Sequence, residues 1–167
     1  MKTYAWYEPV EDVSCIDLDV LWDAGKRGLL IDRDNTVVPR DTKEIPQSAI
    51  DWIKAAEEKG FKICLVSNNW KKNVLKDAEK LGCSLVSRAA KPLPFSLWHA
   101  LNKLGIKREE AVLIGDQVFT DILGAKLAGI TPILVQPQTT VDLAYTAFLR
   151  KYERALIEKV AAKHREQ

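Results

Sequence analysis

Six positions in this sequence carry side chains whose types and spacing suit phosphoryl chemistry. Asp32 and Asp34 stand two apart in Leu29-Leu30-Ile31-Asp32-Arg33-Asp34-Asn35-Thr36, where an apolar strand-forming run meets a turn-favouring Asn-Thr. Side chains two apart on a strand point the same way, so both carboxylates can face one point just past a sheet's end. Two like charges that close repel, and a divalent cation relieves the conflict. Ser67-Asn68-Asn69 offers a hydroxyl and backbone N–H groups where a strand passes into a helix, a ready anion site. Lys91, in Ala90-Lys91-Pro92, can reach inward as a point charge, and Asp116 and Asp121 follow a further apolar run. Carboxylates for a hard cation, with a hydroxyl, N–H groups and an ammonium for an anion, make a site for a phosphoryl group bound to Mg2+. Taken singly, each motif is also an ordinary strand-end turn or a solvated lysine. Their order at successive strand ends is what makes the set specific.

The elements that must position these residues can be read from hydrophobic pattern. Strands are predicted at Gly28 to Asp32, Phe61 to Ser67, Ser84 to Ser87, Ala111 to Gly115 and Ile130 to Val135. Helices are predicted from Pro46 to Lys59, Trp70 to Leu81, Pro94 to Leu104 and Phe119 to Ala128, each followed by a glycine. Val37-Val38-Pro39 reads as a short flap leaving the first strand. Alternating buried strands and helices imply a doubly wound α/β fold, a Rossmann-like parallel sheet of about five strands. Ligands then sit beyond the carboxyl ends of the strands, where strand order reverses. The intervals between Asp34, Ser67 and Lys91 are filled by these elements, so no cap domain fits and the site is open to bulky substrates.

The flanks are less regular. Residues 1–27 read as a loose arm whose Tyr4, Trp6 and Tyr7 pack on the core, with one short helical turn near Asp17 to Ala24. Residues 28–136 form the core of a single domain. Residues 141–165 read as an amphipathic helix, apolar at Val141, Tyr145, Phe148, Tyr152, Leu156 and Val160, and basic at Arg150, Lys151, Arg154, Lys159, Lys163 and Arg165. A helix docked on the domain with a solvated basic face is the favoured reading; a helix lying on a membrane surface shares the pattern. Trp70-Lys71-Lys72 is read as an exposed first helical turn, with contact to an anionic lipid headgroup as the sharper alternative.

Composition sets the outer bounds. At 167 residues, with 47 % hydrophobic and 29 % charged residues, the chain is ordinary globular protein. A net charge of +2 gives no ground for specific nucleic-acid binding. Cys15, Cys64 and Cys83 show neither pairing nor ligand spacing, and as buried free thiols they suit a reducing, cytoplasmic compartment. No apolar run is long enough to cross a bilayer, which leaves the inner face of a membrane as the closest peripheral placement.

The motifs Asp32-Arg33-Asp34-Asn35-Thr36, Ser67-Asn68-Asn69, Lys91-Pro92 and Gly115-Asp116-Gln117-Val118-Phe119-Thr120-Asp121 together resemble the haloacid dehalogenase (HAD) phosphatase superfamily, subfamily IIIA. They look most like its YqeG branch, which includes phosphatidylglycerophosphate phosphatases. The resemblance implies Asp32 as nucleophile and Asp34 as general acid and base. It implies phosphate binding by Ser67, Asn68 and Lys91, and Mg2+ held by Asp32, the Asp34 backbone carbonyl and Asp116, with Asp121 in its outer shell or binding through water. It also implies an anionic phospholipid headgroup as substrate, with peripheral membrane contact through the C-terminal helix; the alternatives are hydrolysis of a soluble or polynucleotide phosphate on the same machinery, and a non-enzymatic binding or assembly module on the same fold. Thr36 is read as a turn-stabilising hydroxyl. Arg33 stands where this family has an apolar residue, and alternation turns it away from Asp32 and Asp34.

Overall fold

The computed structural model describes residues 4–69, 72–139 and 144–165, without the side chains of 144–148. Five parallel strands, β1 (Gly28–Asp32), β2 (Lys62–Val66), β3 (Ser84–Val86), β4 (Ala111–Gly115) and β5 (Thr131–Leu134), form one sheet in the order β3-β2-β1-β4-β5. The order reverses at β1, which pairs with β2 on one side and β4 on the other. That reversal opens a crevice at the carboxyl ends of β1 and β4, where the fold expected from the sequence puts a ligand.

Alternation along the buried strands builds two cores. Leu29 and Ile31, with Ile63, Leu65, Val112 and Ile114, pack beneath α1 (Leu18–Asp23), α2 (Gln47–Lys59) and α3 (Lys72–Leu81). Leu30, with Cys64, Val66 and Leu113, faces α4 (Phe95–Leu104) and α5 (Leu123–Ala128). Asp32 shares the parity of Leu30, so its side chain lies on the α4/α5 side of the sheet. Leu30, Ile114 and Leu97 are wholly buried, and truncating any one of them to alanine costs about 2–5 kcal/mol. α2 and α4 end at Gly60 and Gly105, whose φ of 101° and 62° favour a residue without a Cβ.

Several flanking segments depart from expectation. The arm is not loose: Val10 pairs with Val135 beside β5, donating to Leu134 O and accepting from Gln136 N. This covers an edge that would otherwise expose unpaired backbone groups. Its aromatics do pack inward as expected, with Trp6 against Val118, Ile122 and Leu134. Val37 and Val38 are buried rather than a flap, because Val38 turns back to bridge Asp34. Cys64 is buried as predicted, whereas Cys15 is exposed.

The last helix, α6 (Ala144–Arg165), docks on the domain. Arg150 and Glu153 are buried and Ile157 is half-buried, while Tyr152 and Leu156 of the expected apolar stripe are exposed. Arg150 is therefore not on a solvated face. Two polar contacts, described below, rotate the docking face away from the apolar stripe. Trp70, Lys71 and Val141 lie outside the described residues, as do the side chains of Tyr145 and Phe148. Among the described residues, no helix is long and apolar enough to cross a membrane.

Candidate active site

The carboxyl end of β1 delivers Asp32 into the crevice, where it meets a lysine from the loop after β3. Lys91 Nζ donates to Asp32 Oδ1 (2.5 Å), Asp121 Oδ1 (2.6 Å) and the carbonyl of Val66 at the end of β2 (3.2 Å). All three ammonium donors are thus used in a buried position. Asn68 fixes the lysine's backbone, accepting from Lys91 N at 2.8 Å and donating to Lys91 O at 3.3 Å. The Asn68 side chain therefore holds the lysine rather than pointing at a phosphate.

Asp116 follows β4 and Asp121 sits one turn later. The helix expected from Phe119 opens instead with a π-helical stretch, Val118–Ile122, before α5. This wider turn lets Gln117 N donate to Asp121 Oδ2 (3.2 Å). A Cβ on Gly115 would lie 2.3 Å from Asp121 Cγ, so the strand end needs glycine for steric reasons alone. Thr36 Oγ1 donates to Asp116 Oδ1 (3.1 Å) and lies 3.4 Å from Asp32 Oδ2. The hydroxyl thus stands between two site carboxylates, beyond the turn-stabilising role read from sequence.

Asp32, Asp116 and Asp121 each present an oxygen within 4.8 Å of the others. Burial raises the Asp32 pKa well above the usual carboxylate range; the Lys91 ammonium opposes this, and Asp121 and Asp116 reinforce it. Burial, with repulsion from Asp121, pushes Asp116 up to about 6. Burial works against the charged form of Lys91, but Asp121 and Asp32 outweigh it and raise its pKa. Three carboxylates face two cations, Lys91 and Arg150, which leaves negative charge over. All the donors are hard oxygens, a set that fits a divalent cation of the Mg2+ type.

Arg150 is the residue that sequence reasoning missed. Its Nη2 donates to Asp116 Oδ2 at 2.6 Å, and its Nη1 to Asp116 O at 3.4 Å. Glu153, one turn on, accepts from Phe119 N at 3.0 Å. These contacts dock α6 against the β4 end and hold Asp116 with one oxygen turned toward Thr36. Nothing in the sequence distinguishes Arg150 from the other basic residues of the tail.

Asp34 lies beside this cluster, and its carboxylate is not one of the three grouped oxygens. It accepts from Ser67 Oγ (3.0 Å) and Asn69 Nδ2 (2.8 Å), and its other oxygen from Arg33 Nη1 (2.7 Å). Arg33 is therefore not turned away from Asp34. The strand ends at Asp32 and Asn35 adopts φ 64°, so strand alternation no longer governs residue 33. The same guanidinium clamps Asp77 of α3 through Nε (2.7 Å) and Nη2 (2.6 Å), and so ties Asp34 to the opposite layer.

Asp32 and Asp34 line one cleft with Arg40, Asn68, Asn69, Lys91, Gln117, Thr120 and Asp121; its volume is about 70 Å³. Ser67 is buried beneath it, held by Asp34 and by Asn69 N. A space of this size suits a phosphoryl group. The structure thus gathers Asp32, Lys91, Asp116 and Asp121 directly, with Asp34, Ser67 and Asn68 around them.

The profile of the haloacid dehalogenase-like hydrolases matches residues 8–129. The chain is 33 % identical over 156 residues to "Probable phosphatase YqeG" of Bacillus subtilis, spanning 93 % of this chain and 91 % of that protein. It is 31 % identical over 98 residues to "Pyrophosphatase PpaX" of Halalkalibacterium halodurans, spanning 53 % of this chain and 45 % of that one. A protein of Listeria monocytogenes serotype 4b shares the fold with a TM-score of 0.54 at 20 % identity, over 70 % of this chain and 85 % of that chain. A HAD phosphatase of Thermococcus onnurineus does so with a TM-score of 0.51 at 23 % identity, over 68 % and 58 %. With the profile spanning most of the sequence and a relative aligned over nearly its whole length, the chain belongs to the haloacid dehalogenase-like hydrolases, as a phosphatase of that family.

Proposed function

We propose that the chain hydrolyses a phosphomonoester through an aspartyl-phosphate on Asp32, with Mg2+ as cofactor and phosphatidylglycerophosphate as substrate. The observation that carries the mechanism is the placing of two differently held carboxylates, Asp32 and Asp34, in one phosphoryl-sized cleft. An Asp32 oxygen attacks phosphorus in line while the bond to the leaving oxygen breaks, and Asp34 gives that oxygen a proton. Water then attacks phosphorus, Asp34 takes its proton, and free phosphate leaves as the Asp32 carboxylate is restored. Lys91 balances the charge that gathers on the phosphoryl oxygens, and Ser67 and the backbone at Asn68 supply further donors. Asp32, Asp116 and Asp121, with the Asp34 backbone carbonyl, would hold the cation, which when bound supplies further stabilisation of phosphoryl charge.

The lipid substrate is supported by the likeness to the YqeG branch and by the cleft itself. The cleft is phosphoryl-sized, and between Asp34 and Ser67 the chain holds α2 and β2 with no inserted domain, so a bulky body can remain outside. The test is phosphate release from phosphatidylglycerophosphate in mixed micelles, with and without Mg2+, beside an aryl phosphate. Asp32→Asn is expected to lower turnover of both by at least roughly a thousandfold. Metal-dependent turnover of the aryl ester alone would keep the reaction and refute the lipid. Turnover of neither would refute both.

A further inference from the structure

The net charge of +2 conceals a strong segregation. From Lys80 to Arg108 there is no Asp or Glu, while Lys80, Arg88, Lys91, Lys103, Lys107 and Arg108 are basic. From Ile122 to Val141 there is again none, with Lys126 as the cation. These two stretches contain α4 and α5, which lie side by side on one face of the sheet. Neither α4 nor α5 carries a carboxylate of its own: Lys103 and Lys126 are exposed on them, Lys80 belongs to α3 and Lys91 is buried in the cleft, and Glu109, paired with Arg108, lines a hollow with Trp98 at the far end of α4.

Its outer surface is also apolar. α4 turns Leu97, Leu101 and Leu104 inward, and leaves Phe95, 67 % exposed, and Trp98 outside. α5 turns Ala125 and Ala128 inward, and leaves Leu123 and Leu127, the latter 54 % exposed. The Phe95 and Trp98 rings meet edge to face at 5.6 Å, and Trp98 Nε1 donates to Ala128 O at the end of α5. The backbone of Gly124 abuts Pro92, so exposed Leu93 continues the same patch. Contiguous apolar surface of this kind marks a contact site.

We infer that the outer faces of α4 and α5, with Leu93, form a docking surface for an anionic lipid bilayer. Exposed aromatic and leucine side chains beside Lys103 and Lys126, with no carboxylate on either helix and Glu109 at the far end offset by Arg108 and Lys107, have the chemistry of an interfacial surface. A stable dimer interface of about 800 Å² from each partner carries a polar, hydrogen-bonding rim, whereas the outer residues here are Leu93, Phe95, Trp98, Leu123 and Leu127 with exposed lysines among them. Leu93 lies two residues from Lys91, a reach of at most about 7 Å along the chain. Docking through this face sets the mouth of the phosphoryl cleft at the lipid surface. The role of the surface, though not the surface itself, rests on the lipid-phosphate reading.

The experiment is flotation of the full chain with phosphatidylcholine vesicles, with and without phosphatidylglycerol. The protein is expected to float with the anionic vesicles. Phe95→Ser with Leu127→Ser is expected to weaken that binding by about tenfold or more while aryl phosphate turnover is unchanged. Tyr152→Ser with Leu156→Ser, on α6, is the comparison and is expected to bind as the unaltered chain does. No flotation, or loss confined to the α6 variant, would overturn the inference. So would a concentration-dependent dimer, seen by sedimentation velocity, that the Phe95/Leu127 variant dissolves in the absence of vesicle binding. Vesicle binding of the expected pattern without turnover of phosphatidylglycerophosphate upholds the surface and refutes the substrate.

Discussion

Lys91 is the residue on which the site's electrostatics turn. Its side chain is 2 % exposed and its ammonium joins Asp32 to Asp121, so each charge is buried only because the others are. An ion pair of this kind contributes little net stability compared with an apolar isostere, yet breaking it is expensive because the buried partners are left without their cation. Lys91→Met is expected to destabilise the metal-free protein by about 3–5 kcal/mol at neutral pH, read by urea denaturation, and to abolish turnover. Asp34 behaves differently. Its donors are Arg33, on the loop after β1, and Ser67 and Asn69, on the loop after β2, which fix its orientation toward the cleft without burying it in the carboxylate cluster.

At the scale of the elements, α6 belongs to the site. Arg150 grips both the carboxylate and the backbone carbonyl of Asp116, and Glu153 grips the first turn after it. Such outer partners fix the orientation of a ligating carboxylate and typically change metal affinity by 10–100-fold when removed. Arg150→Ala is accordingly expected to weaken Mn2+ or Mg2+ binding by roughly 10–100-fold in titration calorimetry, and Arg150→Lys to restore part of it. An unchanged metal affinity in Arg150→Ala would reduce the contact to simple helix docking. The π-helical turn at Val118–Ile122 makes the complementary contribution, because it aims Asp121 at Lys91 while keeping Gln117 N on its other oxygen.

The whole molecule carries the cost of gathering three carboxylates. Asp116 titrates near 6 in the fold against 3.8 for an ordinary aspartate, and burial raises Asp32 and Glu153 in the same direction. The folded chain thus holds these protons more tightly than the unfolded chain does. Metal-free stability must therefore fall as pH rises, for Asp116 alone by about 3 kcal/mol between about 4 and about 6, with Asp32 adding a loss of the same sign. The raised pKa of Lys91 adds a stabilising contribution that is constant across this window, being complete below 10.5. A bound cation needs the deprotonated carboxylates, so its affinity runs the other way. Mg2+ is expected to raise the melting temperature more at pH 7.5 than at pH 5, measured by calorimetry. An equal shift at both pH values would refute Asp116 as a ligand. The arm and α6 also meet at this scale: Tyr7 stacks on His164 with ring centroids 4.5 Å apart, fastening the arm to the helix that holds Asp116.

The sequence by itself determined the sheet, its parallel strands and the carboxyl-end location of the chemistry. These follow from local patterns, since a buried parallel strand needs an apolar run and a helix stop needs glycine, and both are legible residue by residue. It also marked Asp32, Lys91, Asp116 and Asp121, because each stands at a strand end or on the loop that follows one. Only the tertiary structure decided how their charges are shared. The partners of Asp116 and Asp34 are Arg150, 34 residues away, and Arg33 with Ser67 and Asn69. Arg33 was misread because strand alternation stops at Asp32, and Arg150 because amphipathic pattern reports apolar burial and is silent about a buried ion pair. The outer face of α4 and α5 escaped notice for a related reason: periodicity shows which side of a helix enters the core, whereas an apolar patch on the other side arises only where two helices lie together.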